Sequence, residues 1–306
     1  MAKKRIVIAL GHNALGTNLP EQKKAVRKTA AVIADFIEAG WQVAVTHSNA
    51  PQVGMIHTAM NEFGKLHGGY TSAPMSQGYI GYDLQNGIRA ELVKRGISKS
   101  AATILTQMTV SPYDEAFYTP VKHVGRFMTA AEAKEEEAKG NYVEEVPGKG
   151  FQRVVASPKP VSIVEIDIIK AVMDADQIVI ACGGGGIPVM EQGFQLKGAS
   201  AVIEKDRAAG LLAKEIDADV LMFLTGVDQV TLDFGTPGER PVSHMNLKEA
   251  DDYIEQGQFE FFSMLPKIEA STDFVRHGRN RKAVITSLSK AGSGLAGKAG
   301  TMIEDA

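Results

Sequence analysis

Three short loops rich in glycine and small polar residues have the composition of an anion-binding site. Each follows a short apolar run: Gly11-His12-Asn13-Ala14, Ser48-Asn49-Ala50-Pro51 and the four glycines at 183–186. Glycine lets backbone N–H groups come close to an anion, and a following helix N-terminus favours negative charge. Any single loop of this kind can be explained without a ligand, because a strand-to-helix turn needs glycine for its own geometry. Four consecutive glycines lose much backbone entropy on ordering, so the loops together favour a large anionic, phosphorylated ligand.

Three lysines are placed to meet such an anion. Lys205 and Lys267 stand at the starts of predicted helices, where the helix dipole disfavours a cation, and Lys122 lies in a polar insertion. We expect a bound anion to compensate their charge, although ordinary solvation explains most lysines. Asp206 follows Lys205 directly. Phosphoryl-transfer sites work by positioning and by cationic stabilisation of the phosphoryl oxygens, so glycine loops with two or three lysines predict that chemistry.

Other kinds of site find less support. No loop has the Gly-Lys-Ser/Thr ending of a Walker A motif, and none makes a dinucleotide-binding fingerprint. The seven histidines show no metal-ligand spacing, so no metal site built from protein side chains is predicted. His47 and the single cysteine, Cys182, are expected to be buried packing residues, and the acidic run at 135–137 is expected to be a solvated helix face.

Charge and composition exclude several classes of protein. The 306 residues include 33 Lys and Arg against 36 Asp and Glu, a formal net charge of −3. This balance argues against a basic nucleic-acid-binding face and against a polybasic membrane surface. The 44% of hydrophobic residues suits a packed core. The apolar run at 6–10 is too short for a signal peptide, and no stretch nears the roughly 18 residues of a transmembrane helix. A single cysteine predicts a reducing cytoplasm.

Apolar runs alternate with amphipathic segments, and this rhythm predicts the elements that position the loops. Strands are predicted at 6–10, 41–46, 102–110, 177–182, 219–224 and 282–287, and helices at 17–39, 53–63, 77–95, 163–175, 205–215 and 268–276. The order predicts a parallel sheet with helices on both faces and ligands beyond the carboxyl ends of its strands. Turn signals and a charged helix at 130–139 interrupt the rhythm between 111 and 155, which favours one α/β domain with a polar insertion.

Distinctive motifs run in order along nearly the whole chain, from about Arg5 to Ile303. They include Met75-Ser-Gln-Gly-Tyr-Ile-Gly-Tyr82, Ala156-Ser-Pro-Lys-Pro160 and the segments 183–188 and 198–206. These motifs resemble those of the carbamate kinases, a branch of the amino-acid kinase superfamily.

The resemblance implies a fold, a reaction and partners. The fold is a three-layer αβα sandwich with a mainly parallel central sheet, one domain over residues 1–306 with a small protruding subdomain at 113–155. The reaction is reversible phosphoryl transfer between ATP and carbamate, giving ADP and carbamoyl phosphate with Mg²⁺. The expected partners are small-molecule substrates and a second copy in a homodimer, with neither nucleic acid nor membrane, in cytoplasmic arginine metabolism.

The resemblance also implies roles for individual residues. Lys205, Lys267, Asp206 and Lys122 match catalytic residues: two lysines on the transferring phosphoryl group, the acidic residue that orients them, and a subdomain lysine that reaches over the site. The positions matching the substrate- and phosphate-binding loops are Gly11, His12, Asn13, Ser48, Asn49, Ala50, Gly183, Gly184 and Gly185. Those matching the nucleotide side are Thr225, Val227, Asp228, Val230 and Met264.

The sequence departs from the family pattern on the acceptor side. His12, Ser48 and Ala50 stand where the family usually has glycine, and Gly226 stands where it commonly has aspartate. An added Cβ is expected to disfavour the ordinary loop geometry wherever φ is positive or the backbone touches the ligand. Three hypotheses follow: a carbamate kinase with an adjusted acceptor loop, a kinase of the same fold for another carboxylate or carbamate-like acceptor, and a nucleotide-binding homologue with little or no turnover.

Overall fold

The computed structural model describes residues 3–16, 18–62 and 72–305. The described strands are, in chain order, β1 (Arg5–Leu10), β2 (Gln42–His47), β3 (Ala101–Thr103), β4 (Gln107–Val110), β5 (Lys122–Met128), β6 (Tyr142–Val146), β7 (Gly150–Val155), β8 (Pro160–Ile163), β9 (Ile178–Ile180), β10 (Ile187–Gln192), β11 (Gln195–Gly198), β12 (Val220–Thr225), β13 (Val230–Leu232), β14 (Arg240–Val242), β15 (His244–Asn246), β16 (Lys282–Ser287) and β17 (Thr301–Glu304). The described helices are α1 (Leu19–Glu38), α2 (Ala50–Glu62), α3 (Ser72–Lys94), α4 (Ala130–Ala138), α5 (Ile166–Asp174), α6 (Lys205–Glu215), α7 (Leu247–Glu255), α8 (Met264–Arg276) and α9 (Ala291–Leu295).

A large sheet forms the centre of the molecule, with the strand order β15-β17-β16-β12-β1-β2-β9-β3. Its neighbours pair in parallel except β16 and β17, which are antiparallel. In β1, Ile6 and Ile8 enter one buried cluster and Val7 and Ala9 enter the other. Because both faces are covered, the central strands read as continuous apolar runs.

Helices cover the two faces of this sheet. On one face, Ile33 of α1 and Leu84 of α3 belong to the same buried cluster as Ile6. On the other face, Leu212 of α6 and Phe274 of α8 belong to the cluster that contains Val7. The three-layer αβα fold with a mainly parallel sheet is therefore confirmed.

The insertion between the two halves of the sheet contains structure of its own. Strands β5, β7 and β6 form an antiparallel sheet in that order, with α4 in the connection between β5 and β6. The acidic residues Glu135 and Glu137 of α4 are exposed, and Glu136 is partly buried with Lys139 and Asn141 as partners.

Two further sheets are formed by strands outside this insertion. One is a mixed sheet with the order β11-β10-β4-β8, and the other is the pair of β13 and β14.

Two predicted elements were wrong in extent. The single strand predicted at 102–110 is two strands, β3 and β4, which belong to different sheets. Between the two strands, Thr106 N donates to the side chain of Gln77, and Thr106 O accepts from that side chain and from Ile187 N. The hydroxyl of Thr106 accepts from Cys182 N. The helix predicted from residue 163 begins at Ile166, because residues 160–163 form β8 against β4. An apolar run does not reveal which sheet it will join.

Two further helices begin earlier than predicted: α3 at Ser72 instead of 77, and α8 at Met264 instead of 268. The other predicted elements agree with the structure within about three residues at each end, and those at 205–215 and 282–287 agree at both ends. The first helix starts after Asn18, whose side chain accepts from Glu21 N at 3.1 Å. The predicted starting residue, Thr17, lies outside the described residues, as does Phe63, the predicted end of the second helix.

Candidate active site

Four neighbouring parallel strands, β12, β1, β2 and β9, end at the same edge of the central sheet. The loops that follow them are therefore adjacent. Gly11 N donates to Leu224 O at 2.8 Å, and Ser48 N donates to Leu10 O at 2.9 Å. The glycine turn at 183–185 begins after Cys182, two residues beyond β9. All three loops of small residues, together with the segment after β12, thus surround one point, as ligand sites in parallel sheets do.

The glycine turn is packed too closely to accept side chains. A Cβ on Gly183 would lie 2.3 Å from Nε2 of His47, and one on Gly184 would lie 2.0 Å from Nδ2 of Asn49. A Cβ on Gly185 would lie 2.1 Å from Ile203 O, two residues before Lys205. Gly184 and Gly185 also have φ values of 65° and 95°, which favour glycine. The turn therefore contacts both the second loop and the approach to α6.

Two buried residues of α3 hold this arrangement from behind. Asn49 Nδ2 donates to Ser76 Oγ at 2.8 Å, and Gln77 Nε2 donates to Gly183 O at 3.0 Å. Ser76 and Gln77 are at most 1% exposed. Both belong to the distinctive motif at 75–82, and no role was predicted for either.

Two of the predicted lysines share one buried carboxylate. Lys205 Nζ lies 2.5 Å from Asp206 Oδ1, and Lys267 Nζ lies 3.0 Å from Asp206 Oδ2. Lys267 also donates to Ser263 O at 2.8 Å. Asp206 is 1% exposed and Lys267 8% exposed. The packing of α6 against α8 thus joins residues 61 positions apart in the sequence.

The charge of Asp206 is stabilised by this contact. Burial by itself would raise the pKa of Asp206, but the attraction and hydrogen bonds of Lys205 and Lys267 lower it below its ordinary value of 3.8. The carboxylate is therefore ionised at neutral pH. The expectation that a bound anion compensates the lysines needs correction, because Asp206 already supplies a counter-charge within the chain.

The third lysine lies next to this pair through another ion pair. Lys122, the first residue of β5, places Nζ 2.6 Å from Glu204 Oε2. Glu204 is the residue just before Lys205 at the start of α6. Glu204 was missed by the sequence analysis, since nothing local marks it as the partner of a residue in the insertion. The cluster holds three ammonium groups and two carboxylates, a formal surplus of one positive charge.

The acceptor-side residues have an ordinary backbone. His12, Ser48 and Ala50 do not occur among the positive-φ residues of the described chain. The first condition for strain, a positive φ, is therefore not met at these positions. The second condition, contact of the backbone with the ligand, stays a prediction. His12, Asn13 and Ala50 are exposed, whereas Ser48 is buried.

Gly226 leaves space for one of these side chains. A Cβ at position 226 would lie 2.1 Å from Nδ2 of Asn13. Asn13 of the first loop therefore packs directly against Gly226, the position at which the segment after β12 departs from the family pattern.

A cavity of about 580 Å³ lies on the nucleotide side predicted from the resemblance. Of the five predicted residues, Val227, Asp228 and Met264 line it. Thr225 ends β12, and Val230 is fully buried in the core with its N–H bonded to Thr301 Oγ1. The cavity also has an apolar lining that the sequence analysis missed: Phe234, Pro241 and Phe259. Ser263, whose carbonyl binds Lys267, lines it as well.

His47 and Cys182 are buried as predicted. Burial lowers the pKa of His47 to about 4, although the hydrogen bond of its Nδ1 to Ser48 O opposes the shift, so the imidazole is neutral at pH 7. Burial raises the pKa of the Cys182 thiol. Both therefore act as uncharged supports of the glycine turn.

Residues 3–16, 18–62 and 72–305 contain no group of three or more His, Cys, Asp or Glu side chains arranged to hold a metal ion. None of the helices in these ranges combines the length and the apolar character that a bilayer crossing requires.

Comparison with known proteins gives consistent matches over the full length. A model of the amino acid kinase family matches residues 4–287. The carbamate kinase-like protein YqeA of Escherichia coli K12 is 49% identical over 98% of this chain and 99% of its own. The carbamate kinase of Clostridium perfringens is 47% identical, with coverage of 98% and 99%. The structure of the Giardia lamblia carbamate kinase bound to AMP-PNP superposes with a TM-score of 0.94 at 36% identity, covering 100% of this chain and 99% of that one. The chain belongs to the amino acid kinase family, and within it to the carbamate kinase branch.

Proposed function

We propose that the protein catalyses reversible phosphoryl transfer between ATP and carbamate. In the forward direction a carboxylate oxygen of carbamate attacks the γ-phosphorus, and the bond from that phosphorus to the β,γ-bridging oxygen breaks. The products are carbamoyl phosphate and ADP. No proton is transferred, because the attacking carboxylate and the leaving phosphate are both anionic. The reverse reaction makes ATP from ADP and carbamoyl phosphate.

The observation that carries this proposal is the pair Lys205 and Lys267 on one buried carboxylate beside the glycine turn. Each ammonium group has three donors. Within the described residues Lys205 uses one on Asp206, and Lys267 uses two, on Asp206 and Ser263. The remaining donors are available to the phosphoryl oxygens, whose negative charge such cations stabilise during transfer.

Asp206 has the role of orienting both lysines, and Lys122 that of a third cation at the edge of the site. The surplus positive charge of the cluster favours a polyanionic substrate. Gly11, His12, Asn13, Ser48, Asn49, Ala50 and Gly183–Gly185 are assigned to the acceptor and the phosphates.

The cavity at 226–264 is assigned to the nucleoside of ATP or ADP. Its apolar lining suits a base, and Ser263 connects its wall to Lys267. Thr225 and Val230 support this wall from the sheet and the core. The nucleotide is proposed to enter as its Mg²⁺ complex, since Mg²⁺ binds through phosphate oxygens and retained waters and needs few protein ligands.

Several broader features are proposed on the family relationship. The chain is assigned one domain over residues 1–306, with an inserted subdomain at 113–155. A homodimer is supported by exposed apolar side chains on and beside the β11-β10-β4-β8 sheet, such as Val161, Ile168 and Phe194. Light scattering after gel filtration tests it, and a monomer mass at micromolar concentration would contradict it. The single buried thiol suits a reducing cytoplasm.

A second candidate function is phosphoryl transfer to another carboxylate or carbamate-like acceptor. The observation that favours it is the position of His12 and Ala50, which place exposed side chains on the acceptor loops. An imidazole there adds a donor for a bulkier acceptor. The phosphoryl side of the site is the same in both candidates.

The first experiment measures ATP formation from ADP, Mg²⁺ and carbamoyl phosphate, with Lys205→Ala as the control. We expect ATP from the wild type and almost none from the variant. A folded wild-type protein that binds ADP but forms no ATP would refute carbamate kinase activity. Phosphorylation of other carboxylates by ATP would then separate the second candidate from a binding protein without turnover.

A further inference from the structure

Gln77 of α3 makes three hydrogen bonds with one side-chain amide. Its Nε2 donates to Gly183 O at 3.0 Å and to Thr106 O at 3.3 Å, while its Oε1 accepts from Thr106 N at 2.9 Å. The side chain is 1% exposed. Both the donor and the acceptor side of the amide are therefore used, and both bind backbone of other elements.

The groups that Gln77 binds are themselves connected to the glycine turn. Thr106 Oγ1 accepts from Cys182 N at 3.0 Å, so Thr106 holds the residue just before the turn. Gly186 N donates to Gly183 O at 3.1 Å, so the same carbonyl closes the turn. Gln77 thus binds the turn directly at Gly183 and indirectly at Cys182.

The turn needs such support because its backbone is intrinsically free. Gly184, Gly185 and Gly186 all have positive φ, and glycine has more conformations to lose than any other residue. Buried polar backbone requires hydrogen-bond partners, and here a side chain supplies them from the rear. Inside the turn, Gly185 N donates to Cys182 O and Gly186 N donates to Gly183 O, each at 3.1 Å. The N–H groups of Gly183 and Gly184 precede these bonds, which makes them the candidates to bind a ligand.

We infer that Gln77 is a positioning residue, which holds the turn at Gly183–Gly185 in the conformation that binds the transferable phosphoryl group. The inference rests on the proposed function for the identity of that group. Displacement of reacting groups by about 1 Å can lower rates by about 10²-fold. Gln77 binds the turn and is not among the residues that line the cavity assigned to the nucleoside. Loss of its amide should therefore weaken contacts to the phosphoryl group and leave those to the nucleoside unchanged.

The test is nucleotide binding, which needs no turnover. AMP-PNP carries a counterpart of the γ-phosphate and ADP does not, so the ratio of their dissociation constants reports contacts to that group. We expect Gln77→Met to weaken AMP-PNP binding by about tenfold, the lower end of the loss seen when an outer-shell hydrogen bond to a metal ligand is removed, and to leave ADP binding within twofold. Titration calorimetry with Mg²⁺ measures both constants.

Gln85→Met is the matched control. Gln85 lies two turns further along α3, and its Oε1 accepts from Thr103 N at 3.1 Å. This variant also removes a side-chain amide from a backbone N–H, but from that of Thr103 in β3, which is not one of the groups that bind the glycine turn. We expect a comparable change in thermal stability with no change in the AMP-PNP to ADP ratio. Equal weakening of both nucleotides by Gln77→Met, or no weakening, would overturn the inference.

Gln77→Glu serves if the methionine variant does not fold. Its carboxylate keeps an acceptor for Thr106 N but cannot donate to Gly183 O until it is protonated. AMP-PNP binding relative to wild type should therefore recover as pH falls, and a ratio independent of pH would contradict the inference. A wild type that forms no ATP, with the ratio still changed by Gln77→Met, would refute the proposed function alone.

Discussion

The phosphoryl-transfer centre and the acceptor loops lie side by side but are built in different ways. Lys205, Asp206 and Lys267 lie in the first turns of two packed helices, where the two lysines share one buried carboxylate. His12 and Ala50 are exposed side chains near short turns of ordinary backbone. The centre is therefore constrained by packing and charge together, whereas substitutions of these two exposed loop residues are expected to disturb neither. Chemistry and acceptor choice should respond to mutation separately.

The largest expected effect is on catalysis at the centre. Lys205→Ala should lower kcat for ATP formation by about 10³-fold, because it removes a cation from the transition-state charge. The matched control is Lys214→Ala on the same helix, which removes an ion pair with Asp273 of α8 and should change kcat less than twofold. A Lys205→Ala enzyme within tenfold of wild type would remove the centre from the mechanism.

Asp206→Asn should lower the free energy of unfolding by about 3 kcal/mol at pH 7, because two ammonium groups then lose their buried counter-charge. Since the pKa of Asp206 is lowered in the folded state, its contribution is present above pH 3.8 and is lost as pH falls further. Below pH 3.8 the difference in the free energy of unfolding between variant and wild type should therefore become smaller.

Urea denaturation across pH measures this effect. The matched control is Asp273→Asn, in a half-exposed pair with Lys214, which should cost less than about 1 kcal/mol. Equal losses of unfolding free energy in the two variants would mean that the buried carboxylate of Asp206 contributes no more to stability than the half-exposed one of Asp273.

His47 gives the support beneath the loops a pH signature. Its pKa is about 4 in the folded state against 6.5 in the unfolded chain. The unfolded state therefore binds more protons between these values, and stability falls as pH drops from 6.5 to 4, by on the order of 3 kcal/mol. His47→Gln should flatten that slope, while His57, whose pKa is also lowered, keeps its share. His277→Gln, at an exposed position, is the control, and an unchanged slope in His47→Gln would contradict the burial argument.

A change confined to the acceptor loops should alter substrate use more than stability. The triple substitution His12→Gly, Ser48→Gly and Ala50→Gly is expected to raise kcat/KM for carbamoyl phosphate by up to about tenfold and to leave KM for ADP unchanged. Activity that appears only in the variant would favour a wild type adapted to another acceptor or without turnover. A parallel loss of ADP affinity would show that the two regions are not separable.

The smallest expected effect lies at the edge of the phosphoryl-transfer centre, where the start of α6 meets the insertion. Glu204→Gln should lower kcat/KM by about fivefold, equivalent to about 1 kcal/mol, since a partly exposed ion pair holds Lys122. The effect should vanish in a Lys122→Ala background. Glu269→Gln, which breaks the neighbouring ion pair with Arg207, is the control. Persistence of the Glu204 effect without Lys122 would assign it to α6 instead.

The sequence by itself determined the features that depend on residues close together in the chain: the strands, the helices and the order in which they follow one another. Short apolar runs predicted β1, β2, β9 and β12, and their alternation with helical segments predicted the parallel sheet and the edge where its loops meet. The predicted helix at 205–215 agrees with α6 at both ends. Such patterns work because helix and strand periodicities are local properties. The resemblance of the motifs to the carbamate kinases, confirmed by the comparisons, added the branch of the family.

Only the tertiary structure decided which distant groups meet. The separation of β3 from β4, the Glu204 partner of Lys122 and the bonds of Gln77 to Gly183 all depend on contacts between segments far apart in the chain. The same holds for charge: the helix dipole at Lys205 predicted a missing anion, while packing of α6 on α8 showed Asp206 already shared by two lysines. Local sequence reveals the need for a partner, but burial and pairing across the fold select it.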